Sequence, residues 1–284
     1  MNGRAYPPTL LDQSGGIGSD GVMETLSSFT QHLRSRNLSA QTIRLRLSHA
    51  RELACLVEPT TERLETWVHP PDRRLAPETI KSRRASARAF FSWLHATGRR
   101  SSDPSFALQR VVVPERLPRV IPDRDVWKAL AGAPVRVRAA ILLARYGCLR
   151  LTEIATLATA QRFGDHLRIR GKGGKERMIY LHDSLIAVLD LLEQQQGEGY
   201  YFPGRYEAHM HPQSLHKVIK RATGWNPHAL RHAGATAAYI ATKDLRAVQM
   251  FLGHSSIRTT QRYLHLDDGA LRAVAAGVQL KLAA

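Results

Sequence analysis

Cysteine is almost missing from this 284-residue chain: Cys55 and Cys148 are the only two, each in an apolar, helix-like context and without CxxC spacing. Neither a disulfide framework nor a thiolate metal site is thereby suggested, and both thiols are expected to be ordinary buried residues. Also missing are an apolar run long enough to span a membrane and the basic start with an apolar core that directs secretion. A soluble, cytoplasmic protein with no membrane partner is expected. Acidic residues are outnumbered, 24 Asp and Glu against 41 Lys and Arg, which leaves a formal net charge of +17 and points to a polyanionic partner, nucleic acid above all. Lysine itself is scarce. Eight of the basic residues are lysine and the rest arginine, whose planar fork suits paired contacts with phosphate oxygens.

What is present organises the chain into two domains, as its length allows. Residues 1–22 are rich in Gly, Pro and Ser and read as a flexible tail. From Met23 the period is helical: Leu26, Phe29, Thr30 and Leu33 share a face, and Ser39 caps a second helix carrying Ile43, Leu47, Ala50 and Ala54. Pro77 and Glu78 open another helix, which runs through Phe90, Phe91, Trp93 and Leu94 to Gly98. This predicts an all-helical domain over 23–108. Pro114, Pro118 and Pro122 then mark a linker over 109–122. In the second domain, 123–284, Asp123 is expected to cap a helix and a longer apolar helix runs from Val135 to Gly147. Residues 163–181 alternate around Gly171, Gly173 and Gly174 as a β-hairpin does. Helical patterns return at 184–192, at 212–221 and nearly continuously over 228–263. The fold class is therefore mainly α with a small β-sheet.

Five segments of the second domain carry chemistry-bearing residues in order: Gly147-Cys148-Leu149-Arg150-Leu151-Thr152-Glu153, then Gly171-Lys172-Gly173-Gly174-Lys175-Glu176-Arg177, then His228-Ala229-Leu230-Arg231-His232, then Leu252-Gly253-His254, and finally Arg262-Tyr263. Each alone is weak. A lone Arg150 reads as a solvated or ion-paired arginine, the Gly-Lys-Gly as a basic turn, and Tyr263 as a core aromatic. His228 and His232, one turn apart, have the spacing of a zinc pair, but Arg231 between them adds a cation and no acidic or thiol ligand lies close in sequence. No metal is assigned.

Together the five segments resemble the tyrosine recombinase (phage integrase) family across the whole catalytic half, with no departure at an active-site position. The chemistry implied explains the residue types. Attack on a phosphodiester gathers charge on nonbridging oxygens, and Arg150 and Arg231 would clamp them, with His254 adding a donor. Tyr263 would be the nucleophile; a phenol with a reference pKa of about 10 needs a base or a strongly cationic site, and His228 is the candidate base. The leaving 5′-oxygen needs a proton, assigned to Lys172 with Lys175 as its rival. Glu153, three residues after Arg150, would hold that guanidinium, and His232 flanks Arg231.

The resemblance further implies a 3′-phosphotyrosyl intermediate, strand exchange through a four-way junction without ATP or any cofactor, and a tetramer on two double-stranded DNA sites. It also implies a C-shaped clamp on DNA, a possible accessory directionality protein, and an amphipathic oligomerisation helix over 270–282 docked on a neighbouring protomer. Arg44, Arg83, Arg84, Arg88 and Lys175 are candidate DNA contacts, with solvated faces as the alternative. The tail is too short for an extra arm-binding domain, which favours a compact integrase. Rival readings are a type IB topoisomerase, an idle DNA-binding regulator, and dimer resolution of the Xer type in place of phage integration.

Overall fold

The computed structural model describes residues 19–56, 58–114, 119–171, 174 and 176–253. Lys172, Lys175, His254, Tyr263 and the expected helix over 270–282 lie outside the described residues. The chain divides into two compact units, Met1–Glu115 and Arg116–Ala284.

The described residues of the first unit form four helices, α1 (Ser19–Ser35), α2 (Ala40–Ala54), α3 (Thr61–Val68) and α4 (Pro77–Ala96). Their apolar stripes meet in a core of Phe29, Leu33, Leu53, Leu64, Phe90, Phe91 and Trp93. Phe29 packs edge-on to Phe90 with ring centroids 5.1 Å apart, and at the same distance from Trp93. Each such side chain taken from water contributes roughly 1.5–3 kcal/mol, which is what the helices gain by assembling. Ser39 caps α2 as expected, its Oγ accepting from Thr42 N–H at 3.2 Å. Pro77 starts α4, and Gly98 at φ 70° lets the Arg99 N–H return to the Leu94 carbonyl at 2.9 Å.

Three expectations need correction here. α1 begins at Ser19, inside the segment read as tail, because a glycine such as Gly21 is tolerated in a first turn whose amides are unpaired in any case. α3 went unread; Thr60 caps it, accepting from Arg63 N–H at 3.3 Å. Cys55 is exposed at the C-cap of α2 rather than buried.

The second unit is built around α6 (Val135–Arg145), in which Ala139 through Ala144 are all buried. That run is apolar on every side and so is covered on every side, here by α5 (Asp123–Ala131), α8 (Asp183–Gln196), α9 (Pro212–Thr223) and α10 (Pro227–Thr242). Asp123 sits in the first turn of α5 and not at its cap; its carboxylate instead pairs with Arg145 at 3.0 Å. After α6 come α7 (Leu151–Ala155), a 3-10 turn (Thr159–Gln161) and an antiparallel sheet of β1 (Arg162–Phe163), β2 (His166–Arg170) and β3 (Glu176–Tyr180) in the order β1-β2-β3. The expected hairpin is thus the β2–β3 pair, joined by a two-residue first strand across a turn at Gly164-Asp165. Leu167 opposite Ile179 faces the core, and Arg168 opposite Met178 faces out. The nearly continuous helical stretch expected over 228–263 has one break in its described part: Lys243 ends α10 at φ 54°, and Asp244 accepts from the amides of Arg246 and Ala247 to cap α11 (Leu245–Leu252). No helix among the described residues is long and apolar enough to cross a membrane.

Candidate active site

The site begins with a turn. After α6 the backbone reverses at Cys148, which takes the left-handed φ of 47° that a non-glycine residue rarely adopts. Its side chain is buried, and burial pushes the thiol up to about 11, so it is a neutral packing group. Arg150, extended at the N-cap of α7, follows two residues later. Glu153, in the first turn of α7, accepts the Arg150 backbone N–H on Oε2 at 2.8 Å and the Arg150 Nη1 on Oε1 at 2.9 Å. The expected partnership of these two residues is therefore present as a helix-capping contact.

Arg231 comes to the same place from α10. It is 4% exposed, and its Nη1 donates to the Cys148 carbonyl and its Nη2 to the Leu252 carbonyl at 2.8 Å. The approach depends on Gly234, one turn further along α10: a Cβ there would lie 2.5 Å from Cys148 Sγ and within 3.0 Å of the Arg145 carbonyl oxygen. Arg150 Nη2 reaches the Gly253 carbonyl at 2.9 Å. Two arginines remote in sequence thus share one carboxylate, with Arg231 3.9 Å from Glu153 Oε2, and both bond the last carbonyls before His254.

Electrostatics agree with this geometry. Burial pushes the Glu153 carboxyl up, but the hydrogen-bonded Arg177 and the adjoining Arg150 outweigh it and hold the group below its usual range, so it is ionised at neutral pH. Burial, and then the charge of Arg150, press Arg231 down to about 10, against which Glu153 pulls upward; it remains a cation. His228 is the second residue of α10, after Pro227, and is exposed. Packing by protein atoms, followed by the charges of Arg231, His216 and Arg150, holds it below the ordinary histidine value. A neutral imidazole able to accept a proton follows. His232 is half-buried on the same helix.

Arg177 joins the expected residues at this site. Its Nη1 and Nη2 grip Glu153 Oε1 and Oε2 at 3.0 and 2.8 Å, and its Nε donates to the Phe251 carbonyl at 3.1 Å. A sequence signal existed: alternation places Arg177, opposite Ile169, on the side of β3 that buries Ile179, where a charge needs a partner.

Among the candidate DNA contacts, Arg83 is corrected from surface cation to interior residue. It is 7% exposed, lies 4.1 Å from the Trp67 ring centroid and 3.5 Å from Glu52 Oε2. Arg84 donates twice to the Leu108 carbonyl, at 3.2 and 2.9 Å, and Arg88 to the Phe106 carbonyl at 3.3 Å. Arg44 is exposed on α2.

The chain belongs to the phage integrase family, the tyrosine-type site-specific DNA recombinases, whose family model matches residues 124–269. Among its relatives, Tyrosine recombinase XerC of Xanthomonas campestris pv. campestris (strain B100) is 30% identical over 89% of this chain and 87% of its own length. Tyrosine recombinase XerD of Vibrio cholerae serotype O1 is 34% identical over 68% of this chain and 72% of its own. The fold recurs in a lambda integrase dimer bound to a COC′ core site, with a TM-score of 0.70 and 18% identity over 92% of this chain and 79% of that one. It recurs also in XerH site-specific recombinase bound to palindromic difH substrate, with a TM-score of 0.67 and 20% identity over 94% and 91%.

Proposed function

We propose that this recombinase cleaves duplex DNA by attack of the Tyr263 hydroxyl on the scissile phosphate, leaving a 3′-phosphotyrosyl bond and a free 5′-hydroxyl, and that a hydroxyl of a second strand reverses the step to exchange strands through a four-way junction. The observation that carries the reading is the convergence of Arg150 and Arg231 on Glu153, beside the Gly253 carbonyl that immediately precedes His254. Fixed cations at that point meet the charge that gathers on the nonbridging oxygens, and they need no reorganisation as it develops. His254 would add a donor. His228, neutral at rest, would take the phenolic proton, and Lys172 would give one to the departing 5′-oxygen. Four protomers on two DNA sites would carry out the exchange, with the segment over 270–282 linking neighbours. The test is a nicked suicide substrate, from which the cleaved end diffuses away. The full chain should become covalently attached to DNA, and peptide mapping should find the adduct on Tyr263; attachment elsewhere overturns the assignment.

The proton donor has its own signature. Lys172→Ala should be severely impaired on ordinary DNA and largely restored when sulfur replaces the 5′-bridging oxygen, because a thiolate leaves without the proton. Equal impairment on both substrates, or restoration confined to Lys175→Ala, removes Lys172 from the role.

A second reading concerns the biological substrate. The sequence favours a compact integrase acting on attachment sites, whereas the relatives named XerC and XerD, matched over most of their lengths, support dimer resolution of the Xer type. Mapping the cleaved phosphates on genomic and phage attachment DNA separates them.

A further inference from the structure

Glu153 faces three guanidinium groups and is not shared equally among them. Arg177 takes both carboxylate oxygens, at 3.0 and 2.8 Å. Arg150 is left one side-chain bond, at 2.9 Å, and Arg231 stands 3.9 Å away, beyond hydrogen-bonding reach of the carboxylate. The consequence is electrostatic. A buried carboxylate with only two arginines beside it would draw both onto itself, since charges attract strongly where water is scarce. Arg231 could then close on Glu153 only by giving up its bonds to the Cys148 and Leu252 carbonyls, which fix the direction of its fork.

We propose that Arg177 is a positioning residue that occupies the Glu153 carboxylate, so that Arg150 and Arg231 remain oriented for the scissile phosphate instead of collapsing onto their own counter-ion. The inference rests on the reading of those two arginines as the phosphate clamp. Its setting supports it. Arg177 is placed on the inward side of β3 with its side chain 10% exposed, a position that an apolar residue would fill at lower desolvation cost if packing alone were needed. Its third contact, Nε to the Phe251 carbonyl, ties it to the end of α11. There Gly253, at φ 63°, leaves it room: a Cβ on that glycine would come 2.9 Å from both Cδ and Nη1 of Arg177. The turn leading to His254 is therefore shaped around this guanidinium.

The test compares Arg177→Met and Arg177→Lys with the wild type for duplex binding, for melting temperature, and for single-turnover cleavage of the suicide substrate. The substrate carries either the natural phosphate or a methylphosphonate at the scissile position. The methylphosphonate lacks one charged nonbridging oxygen and so depends less on the clamp. Arg177→Met is expected to bind DNA as the wild type does and to cleave the natural phosphate about tenfold to a hundredfold more slowly, the range for loss of a supporting partner. On methylphosphonate the deficit should shrink severalfold. Arg177→Lys, which keeps the charge but not the two-pronged grip, should fall between.

A deficit of equal size on both substrates would make Arg177 a structural tie and overturn the proposal, as would undiminished cleavage by Arg177→Met. Should the methionine variant fail to fold, the same comparison with Arg177→Lys decides. Arg150→Met is the reference. If its deficit depends on the substrate while that of the Arg177 variants does not, only the role of Arg177 falls; if the wild type forms no adduct at all, the recombinase site itself has been misassigned and the proposal falls with it.

Discussion

Phenylalanine in place of Tyr263 should abolish covalent capture of DNA while leaving specific binding unchanged. The substitution keeps the ring and removes only the oxygen that would bond to phosphorus. The adduct should therefore drop to background on the suicide substrate, and gel-shift affinity for the same duplex should match the wild type. Two of the described tyrosines are buried. Tyr239 is buried in a small cluster with Cys148 and Val248, and Tyr201 is buried with its hydroxyl on Glu193. Tyr146 packs on His182 with centroids 4.7 Å apart. An adduct that survives in Tyr263→Phe, or one that maps to Tyr239 or Tyr146, would show the C-terminal motifs to be misaligned.

Gly234→Ala should be a severely damaging single-methyl change in the catalytic unit. α10 crosses the end of α6 so closely that the new Cβ would meet the Arg145 carbonyl oxygen, which is backbone and cannot rotate away, as well as Cys148 Sγ at 2.5 Å. Overpacking of this kind costs about 3 kcal/mol or more. A unit of this size should then melt roughly 6–12 °C lower. The chemistry should suffer beyond the loss of stability, because Arg231 lies three residues before Gly234 and takes its direction from the Cys148 carbonyl. Cleavage by the folded fraction, measured well below the melting temperature, should be depressed as well. Gly132→Ala is the control: nothing lies within 4 Å of its Cβ, and its melting should change little. A Gly234→Ala protein that melts and cleaves like the wild type would mean that α10 can withdraw from α6 without disturbing the site.

What could be read from the sequence depended on whether a feature had a side-chain signature. Ser39, Pro77 and Gly98 marked helix ends because capping and left-handed turns select a few residue types, and the structure uses each of them in that way. α3 has only Leu64 and Val68 fully buried among eight residues, too few to set a period. The break between α10 and α11 falls on Lys243 in a left-handed conformation, which lysine does not advertise, although Asp244 ahead of an apolar stretch was a usable sign. Arg83 looked like its surface neighbours because nothing in its own segment announces Glu52 and Trp67, which come from α2 and α3. In the site, the pairing of Arg150 with Glu153 was legible from spacing. The acceptors that orient the arginines were not: they are the carbonyls of Cys148, Phe251, Leu252 and Gly253, and a main-chain oxygen leaves no trace in residue identity.

Those carbonyls also tie the arginines to parts of the chain that are synthesised late. Arg150 and its acceptor Gly253 are 103 residues apart, Arg231 and Cys148 are 83 apart, and Arg177 and Phe251 are 74 apart. A nascent chain that has emerged only as far as α9 has Arg150, Glu153 and Arg177 but lacks Arg231 and every acceptor on α11. It lacks the carbonyl acceptors of Phe251, Leu252 and Gly253, around which Arg177, Arg231 and Arg150 are arranged, and Tyr263 comes later still.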